Sequence, residues 1–187
     1  MTRPKDSFFA NAALHFCLGA VVSGALVSVF WSTAWSANQA QSIDEYKTLL
    51  NKTPLLMGQA AAETTKGLMQ RMMTAHHRQD AAAEIAELAE DYAWIGVSEA
   101  GYQEMVTGRD VAAAATRNLY ASEYMKDYLG VEANPIAIVG NIGVQLEHEN
   151  FRNKDGSVKT TSSLVIYEVR QGKLLRLWAY MPTSDDH

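Results

Sequence analysis

Cysteine and an excess of positive charge are what this 187-residue sequence has least of. Its single cysteine, Cys17, excludes an internal disulfide framework, an iron–sulfur site and a cysteine-based zinc cluster. The 16 basic residues against 21 acidic ones give a net charge of −5, so we expect no nucleic-acid partner. A nucleophile elbow, a phosphate-binding glycine loop and an HExxH motif are also missing. We therefore expect neither a bound metal nor a cofactor.

Charged side chains are absent from Ser7 to Ile43. A charge-free run of this length is typical of a membrane segment rather than of an amphipathic surface helix. Arg3 and Lys5 precede it, so the positive-inside rule places residues 1–9 in the cytoplasm. We expect a bacterial inner-membrane protein with one span at residues 10–36 and a C-terminal domain in the periplasm.

The fate of this segment has two interpretations. Small residues around Ala34 would suit cleavage of a signal peptide. Aromatic residues at both ends and a length of about 22 residues favour a permanent anchor instead. Small residues spaced four apart would let another membrane helix approach closely, which predicts contacts with other membrane subunits through Ala20, Gly24 and Ser28.

The remaining sequence predicts an α+β fold. Residues 37–64 read as a helical linker, and helical spacing from Pro54 continues towards Tyr92. A short strand is expected at 92–97 and another helix from Gly108 to Met125. Apolar alternation predicts one strand over 136–146, a hairpin turn at 153–156, a return strand at 160–169, a tight turn at 171–173 and a last strand at 174–181. This order predicts helices packed on one face of an antiparallel sheet.

Four short motifs resemble the SnoaL-like branch of the nuclear-transport-factor-like superfamily. They are the segment 86–94 (AELAEDYAW), Gly108-Arg109-Asp110 before a helix, Asp155-Gly156 between two long strands, and the segment 171–174 (QGKL). The resemblance covers residues 65–183, with 184–187 as a tail. It implies a cone of helices on a strongly bent sheet, an apolar pocket and members that dimerise through the sheet. Candidate pocket residues are Trp94, Tyr120, Tyr124, His148 and Tyr167.

The isomerases of this superfamily need a carboxylate base just after the first strand and a donor that stabilises an enolate. The resemblance puts Gly96 or its neighbour where that carboxylate would be, and Glu99 is about three residues out of register. The tyrosine that the family carries on its first helix would fall near His76 or His77. The resemblance therefore leaves the catalytic base unassigned.

His148 is the other candidate base. Strand alternation puts it on the same face as Val144 and Leu146, which we expect to be the concave face, with Glu147 and Glu149 on the opposite one. A histidine in the pocket wall can exchange protons near neutral pH. A solvated polar residue at a strand end is the alternative explanation.

The last strand has two dissimilar faces. Arg176, Trp178 and Tyr180 share one of them. This face would line either the pocket or a homodimer interface, and its composition favours the interface.

Together these patterns favour a membrane-anchored, non-catalytic accessory or assembly subunit that binds a protein partner or a small apolar ligand. The alternative is a SnoaL-like isomerase, cyclase or hydrolase acting on a small apolar substrate, with His148 or His76 as its base.

Overall fold

The computed structural model describes residues 41–180. The predicted span at 10–36, its contact residues Ala20, Gly24 and Ser28, and the tail at 184–187 lie outside this range. None of the helices within residues 41–180 is long and apolar enough to cross a membrane.

Four helices, a short 3₁₀ turn and seven strands make up the described fold. In chain order they are α1 (Ile43–Lys52), β1 (Leu55–Leu56), α2 (Gln59–His77), α3 (Ala81–Ala86), β2 (Leu88–Ser98), β3 (Gly101–Thr107), α4 (Arg109–Tyr120), the 3₁₀ turn (Glu123–Lys126), β4 (Tyr128–Val139), β5 (Ile142–Arg152), β6 (Val158–Arg170) and β7 (Lys173–Tyr180).

All seven strands form one sheet in the order β1-β4-β5-β6-β7-β2-β3. Strands β4 to β7 form an antiparallel meander, of which only the part from β5 to β7 corresponds to the predicted strands. However, β1 runs parallel to β4, and β2 runs parallel to β7. The sheet is therefore mixed rather than purely antiparallel, and the fold class is α+β as predicted.

Helix α1 begins with a capping box, in which the Ser42 hydroxyl accepts from the Glu45 N–H and the Glu45 carboxylate accepts from the Ser42 N–H. It lies within the segment predicted as a linker, yet its Tyr46 and Leu50 side chains are completely buried in the main core. Helix α1 thus packs with the later elements. The boundaries at residues 37 and 65 stay predictions.

The helical segment expected from Pro54 towards Tyr92, with a kink or division considered at Gly67, is wrong in where it is divided and where it ends. Helix α2 ends at His77, Gln79 takes a left-handed conformation (φ 51°), and Asp80 caps the short α3. From Leu88 onwards the chain is a strand, because it pairs with β7. The apolar spacing at 85–92 fits both the helical period of about 3.6 residues and the strand period of about 2. Pairing with β7, which is distant in sequence, makes this segment a strand.

The strand predicted over 136–146 is also wrong as a single element. A turn at Gly140 (φ 56°) and Asn141 divides it into the end of β4 and the start of β5. Strand β3 was not expected, and the predicted helix to Met125 stops at Tyr120. The hairpin turns at 153–156 and 171–173 and the strands around them are confirmed.

Gly143 on β5 lets helix α2 approach the sheet. A Cβ atom at this position would lie 2.3 Å from Met69 Sδ and 3.2 Å from Thr65 Cγ2. Met69 and Thr65 are fully buried. This close approach fixes the distance between helix α2 and strand β5 beside the site described below.

Candidate functional site

A cavity of about 300 Å³ lies between the inner face of the sheet and the helices α2, α3 and α4. Its walls are mainly apolar and aromatic. The rings come from Tyr92, Trp94, Tyr124, Tyr128, Phe151 and Tyr167. Tyr124 and Phe151 stack with ring centroids 4.5 Å apart, and Tyr128 lies 5.3 Å from Phe151. A cavity of this kind suits a small ligand with an apolar body.

The polar groups in the wall are strongly unbalanced in charge. Glu84, Glu147 and Glu149 contribute three carboxyl groups, and His76 contributes an imidazole. No lysine or arginine within residues 41–180 lines the cavity.

His76 stands at the end of α2 and hydrogen-bonds through both ring nitrogens. Its Nε2 lies 2.8 Å from the Tyr128 hydroxyl, and its Nδ1 lies 2.9 Å from the Tyr120 hydroxyl. Tyr120 donates its own proton to Glu84 Oε2 over 2.5 Å. Because that proton is committed, the Tyr120 oxygen accepts from Nδ1–H of His76, which fixes the Nδ1 nitrogen as protonated.

The electrostatics of this cluster favour a charged imidazole. Burial alone would lower the pKa of His76, but the nearby carboxylate of Glu84, 3.7 Å from Nδ1, and the charges of Glu149 and Glu147 together raise it. Burial and the nearby carboxylates raise the pKa of Tyr120 and of Tyr128, so both phenols keep their protons.

Glu147 belongs to a second hydrogen-bonded group on the sheet. Its Oε1 accepts from Gln145 Nε2 at 2.6 Å and from the Tyr167 hydroxyl at 2.9 Å. The fully buried Gln145 in turn accepts from the Tyr46 hydroxyl at 2.9 Å. These bonds tie helix α1, strand β5 and strand β6 together behind the cavity.

Glu149 lies two residues further along the same face of β5. Within residues 41–180 its carboxylate accepts no hydrogen bond, and it still borders the cavity. Burial and the charge of Glu147 raise its pKa, against the opposing attraction of His76. An apolar site that holds a carboxyl group without partners is the environment that makes it an effective proton acceptor near neutral pH.

The predicted pocket residues divide into two groups. Trp94, Tyr124 and Tyr167 lie in the cavity wall, and Tyr120 reaches it through its bond to His76. Their role in ligand binding stays a prediction. His148 points away from the cavity and hydrogen-bonds to Ser162 Oγ through Nδ1 at 2.7 Å.

The expectation that His148 faces the pocket is therefore wrong. Strand β5 turns Gly143, Gln145, Glu147 and Glu149 inwards and leaves the apolar residues Ile142, Val144 and Leu146 outside. The predicted alternation is correct, but the face that carries Val144 and Leu146 is not the one that the helices cover. Gly96 on β2 pairs with Ala179 of the cavity wall.

Arg176, Trp178 and Tyr180 lie on the outer face of β7, since Leu177 and Ala179 line the cavity. Arg176 donates to Glu168 Oε1 at 2.9 Å. Their use in a homodimer interface stays a prediction.

Sequence reasoning missed Glu84, Glu147, Glu149 and Tyr128. The pair of glutamates two residues apart on a strand was the available signal, because such residues share one face.

No family model and no curated protein sequence matches this chain. Solved structures do match. A proposed ketosteroid isomerase from Kribbella flavida aligns at 17% identity and a TM-score of 0.53, covering 67% of this chain and 82% of that one. A nuclear-transport-factor-like protein of unknown function from Mesorhizobium loti aligns at 14% identity and a TM-score of 0.51, covering 67% and 98%. A proposed isomerase from Bacillus subtilis aligns at 12% identity and a TM-score of 0.50, covering 64% and 87%. Likeness at this level shows the fold, which is nuclear-transport-factor-like.

Proposed function

We propose that this domain binds a small, largely apolar carbonyl compound in its cavity and catalyses proton transfer on it, as an isomerase or cyclase does. The observation that carries the proposal is Glu149, a carboxylate without a hydrogen-bond partner among residues 41–180 that lines a largely apolar cavity together with the His76 cluster. Solved structures of the same fold include proposed isomerases. The sequence alone favoured a non-catalytic domain because Gly96 replaces the expected base. Glu149 supplies a carboxylate from a different strand.

Glu149 acts as the general base in this scheme. It removes a proton from the carbon next to the ligand carbonyl, and the electron pair left behind moves onto the carbonyl oxygen to form an enolate. Returning the same proton to a different carbon completes an isomerisation, with no net change in protons. The raised pKa of Glu149 suits both directions of transfer.

Tyr128 stabilises the enolate oxygen. When His76 is protonated, its Nε2–H donates to the Tyr128 oxygen, which leaves the Tyr128 O–H free to donate into the cavity. A neutral His76 would instead accept that proton and withdraw the donor. Glu84 favours the charged form of His76, and Tyr120 orients the ring through Nδ1, so both act as positioning residues. Donors fixed in a site that excludes water contribute most to stabilising a developing oxyanion.

Solvent deuterium exchange tests this scheme without knowledge of the natural substrate. The full chain in mild detergent is incubated in D₂O with small cyclic ketones, and incorporation of deuterium next to the carbonyl is followed by NMR. Glu149→Gln should slow the enzyme-dependent exchange by about 100-fold or more, the usual contribution of a general base. Glu132→Gln is the matched control. Glu132 pairs with His148 on the outer face of the same sheet, so this change should leave exchange intact. Unchanged exchange in Glu149→Gln would refute the base assignment.

The membrane-anchored subunit role is a separate proposal, which rests on the charge-free run from Ser7 to Ile43. It is compatible with ligand binding by residues 41–180. Gly24→Leu should release any partner subunits that co-purify with the chain from native membranes, because a bulky side chain prevents close helix approach. A homodimer through Arg176, Trp178 and Tyr180 is likewise a proposal, and Trp178→Glu should convert it to a monomer in light scattering.

A further inference from the structure

Glu147 is the second carboxylate on the inner face of β5. Same-face neighbours on a strand stand roughly 6.6 Å apart, so Glu147 and Glu149 are separated by less than the length of a small molecule. The bonds from Gln145 and Tyr167 both go to Oε1 of Glu147. Its Oε2 accepts no hydrogen bond within residues 41–180 and is not sealed from the cavity.

Glu147 has no direct ion pair with a basic side chain. Among residues 41–180 it takes part in no salt bridge, and the imidazole of His76, which attracts it from a distance, has its ion-pair contact with Glu84. After burial, the charge of this carboxylate is a further cause of the raised pKa of Tyr46, Tyr128 and Tyr167. A carboxylate in an apolar wall without a directly paired cation attracts a cationic ligand and repels an anionic one.

We propose that the substrate of this site carries a basic nitrogen, and that its ammonium group binds Oε2 of Glu147 while its carbonyl end lies between Glu149 and Tyr128. This inference rests on the function proposed above and adds the charge class of the substrate. Ser163 faces the cavity directly opposite Glu147 on β6, so its hydroxyl can accept a second ammonium proton. The aromatic walls add a favourable surface for a cation. The same charges exclude substrates that carry a carboxylate or a phosphate.

Three probes with one carbon skeleton test the charge preference, namely phenylpropylamine, phenylpropanol and phenylpropanoate. Their affinities for the full chain in mild detergent are measured by isothermal titration calorimetry at neutral pH. The amine should bind at least about tenfold more tightly than the alcohol, and the carboxylate should bind most weakly. Glu147→Gln should abolish the preference for the amine over the alcohol. Glu132→Gln, on the outer face, should keep the wild-type ranking.

An alcohol that binds the wild-type chain as tightly as the amine would overturn the charge preference and leave the proposed cavity function standing. A Glu147→Gln variant that still prefers the amine would overturn the assignment to Glu147. The wild-type ranking decides the first point even when the variant does not fold. If none of the three probes binds, both the charge preference and small-molecule binding by the cavity are refuted, and the exchange assay with Glu149→Gln reports on the base separately.

Discussion

Strand β5 is the reverse of an ordinary half-buried strand, because the helices cover its more polar face. Val144 and Leu146 on the outer face are apolar, whereas the inner face presents Gln145, Glu147 and Glu149 to the helices. Sheets usually turn their apolar residues towards the helical layer. Here the polar face is covered because it carries the site. Gln145 and Glu147 bond to Tyr46 and Tyr167, and Glu149 borders the cavity. The difference shows that alternation identifies two faces but does not say which of them is covered.

Gly143→Ala should give the largest difference in stability between a substitution on the inner face and one on the outer face. The added methyl group would meet the fully buried Met69 at its sulfur, so we expect a loss of about 3 kcal/mol in the free energy of unfolding. Val144→Ile adds one carbon at the neighbouring outer position and should cost less than about 0.5 kcal/mol. Urea unfolding of both variants gives the comparison. Equal losses in the two variants would mean that helix α2 does not pack tightly against the inner face.

Gln145→Leu should have the next largest effect. The variant keeps the volume but leaves the buried Tyr46 hydroxyl without its acceptor, which should cost about 2 kcal/mol. The reciprocal change on the outer face, Leu146→Gln, should cost less than this because Leu146 is only partly buried. Chemical denaturation measures both. A stabilised Gln145→Leu variant would contradict the view that these polar bonds support the inner face.

Unlike the two substitutions above, Glu149→Gln should stabilise the folded protein, and only at high pH. The folded chain keeps the Glu149 proton above its ordinary pKa of 4.5, so the free energy of unfolding falls as pH rises beyond that value. His76, whose pKa is also raised, adds a further loss as pH rises past 6.5. The glutamine variant lacks the Glu149 contribution. Its Tm should exceed that of the wild type at pH 8 and equal it at pH 4. A variant that is less stable at pH 8 would mean that the carboxylate has a stabilising partner in the folded protein.

His148→Ala should have the smallest effect. His148 bonds to Ser162 on the outer face, so its removal should change the free energy of unfolding by no more than about 0.5 kcal/mol and leave deuterium exchange unaltered. Loss of exchange in this variant would return His148 to the list of candidate bases.

The parts of the fold that the sequence predicted correctly are those decided locally. Asp155-Gly156 and Gln171-Gly172 mark their turns by backbone chemistry alone, and the antiparallel strands follow from them. The start of β2 at Leu88 depends on its parallel pairing with β7, which no local pattern reveals.

The same limit applies to the site. Trp94 and Tyr167 were placed in the pocket through the resemblance, and both lie in the cavity wall. His76 was a candidate, but its partners Tyr120, Tyr128 and Glu84 come from three separate elements. Glu149 was assigned to the wrong face, because apolar residues were assumed to mark the inside.

Strand β7 has a consequence for how the chain reaches its fold during synthesis. Among the strands of residues 41–180, it alone joins the hairpin β2–β3 to the rest of the sheet, lying between β6 and β2. As the chain is synthesised, β2 and β3 are complete long before the strand that pairs with them, and the cavity cannot close until Leu174 reaches its buried position beside Leu88. Long-range pairing of this kind slows folding. A chaperone that shields the waiting hairpin would therefore raise the yield of this protein more than one that acts on the helices.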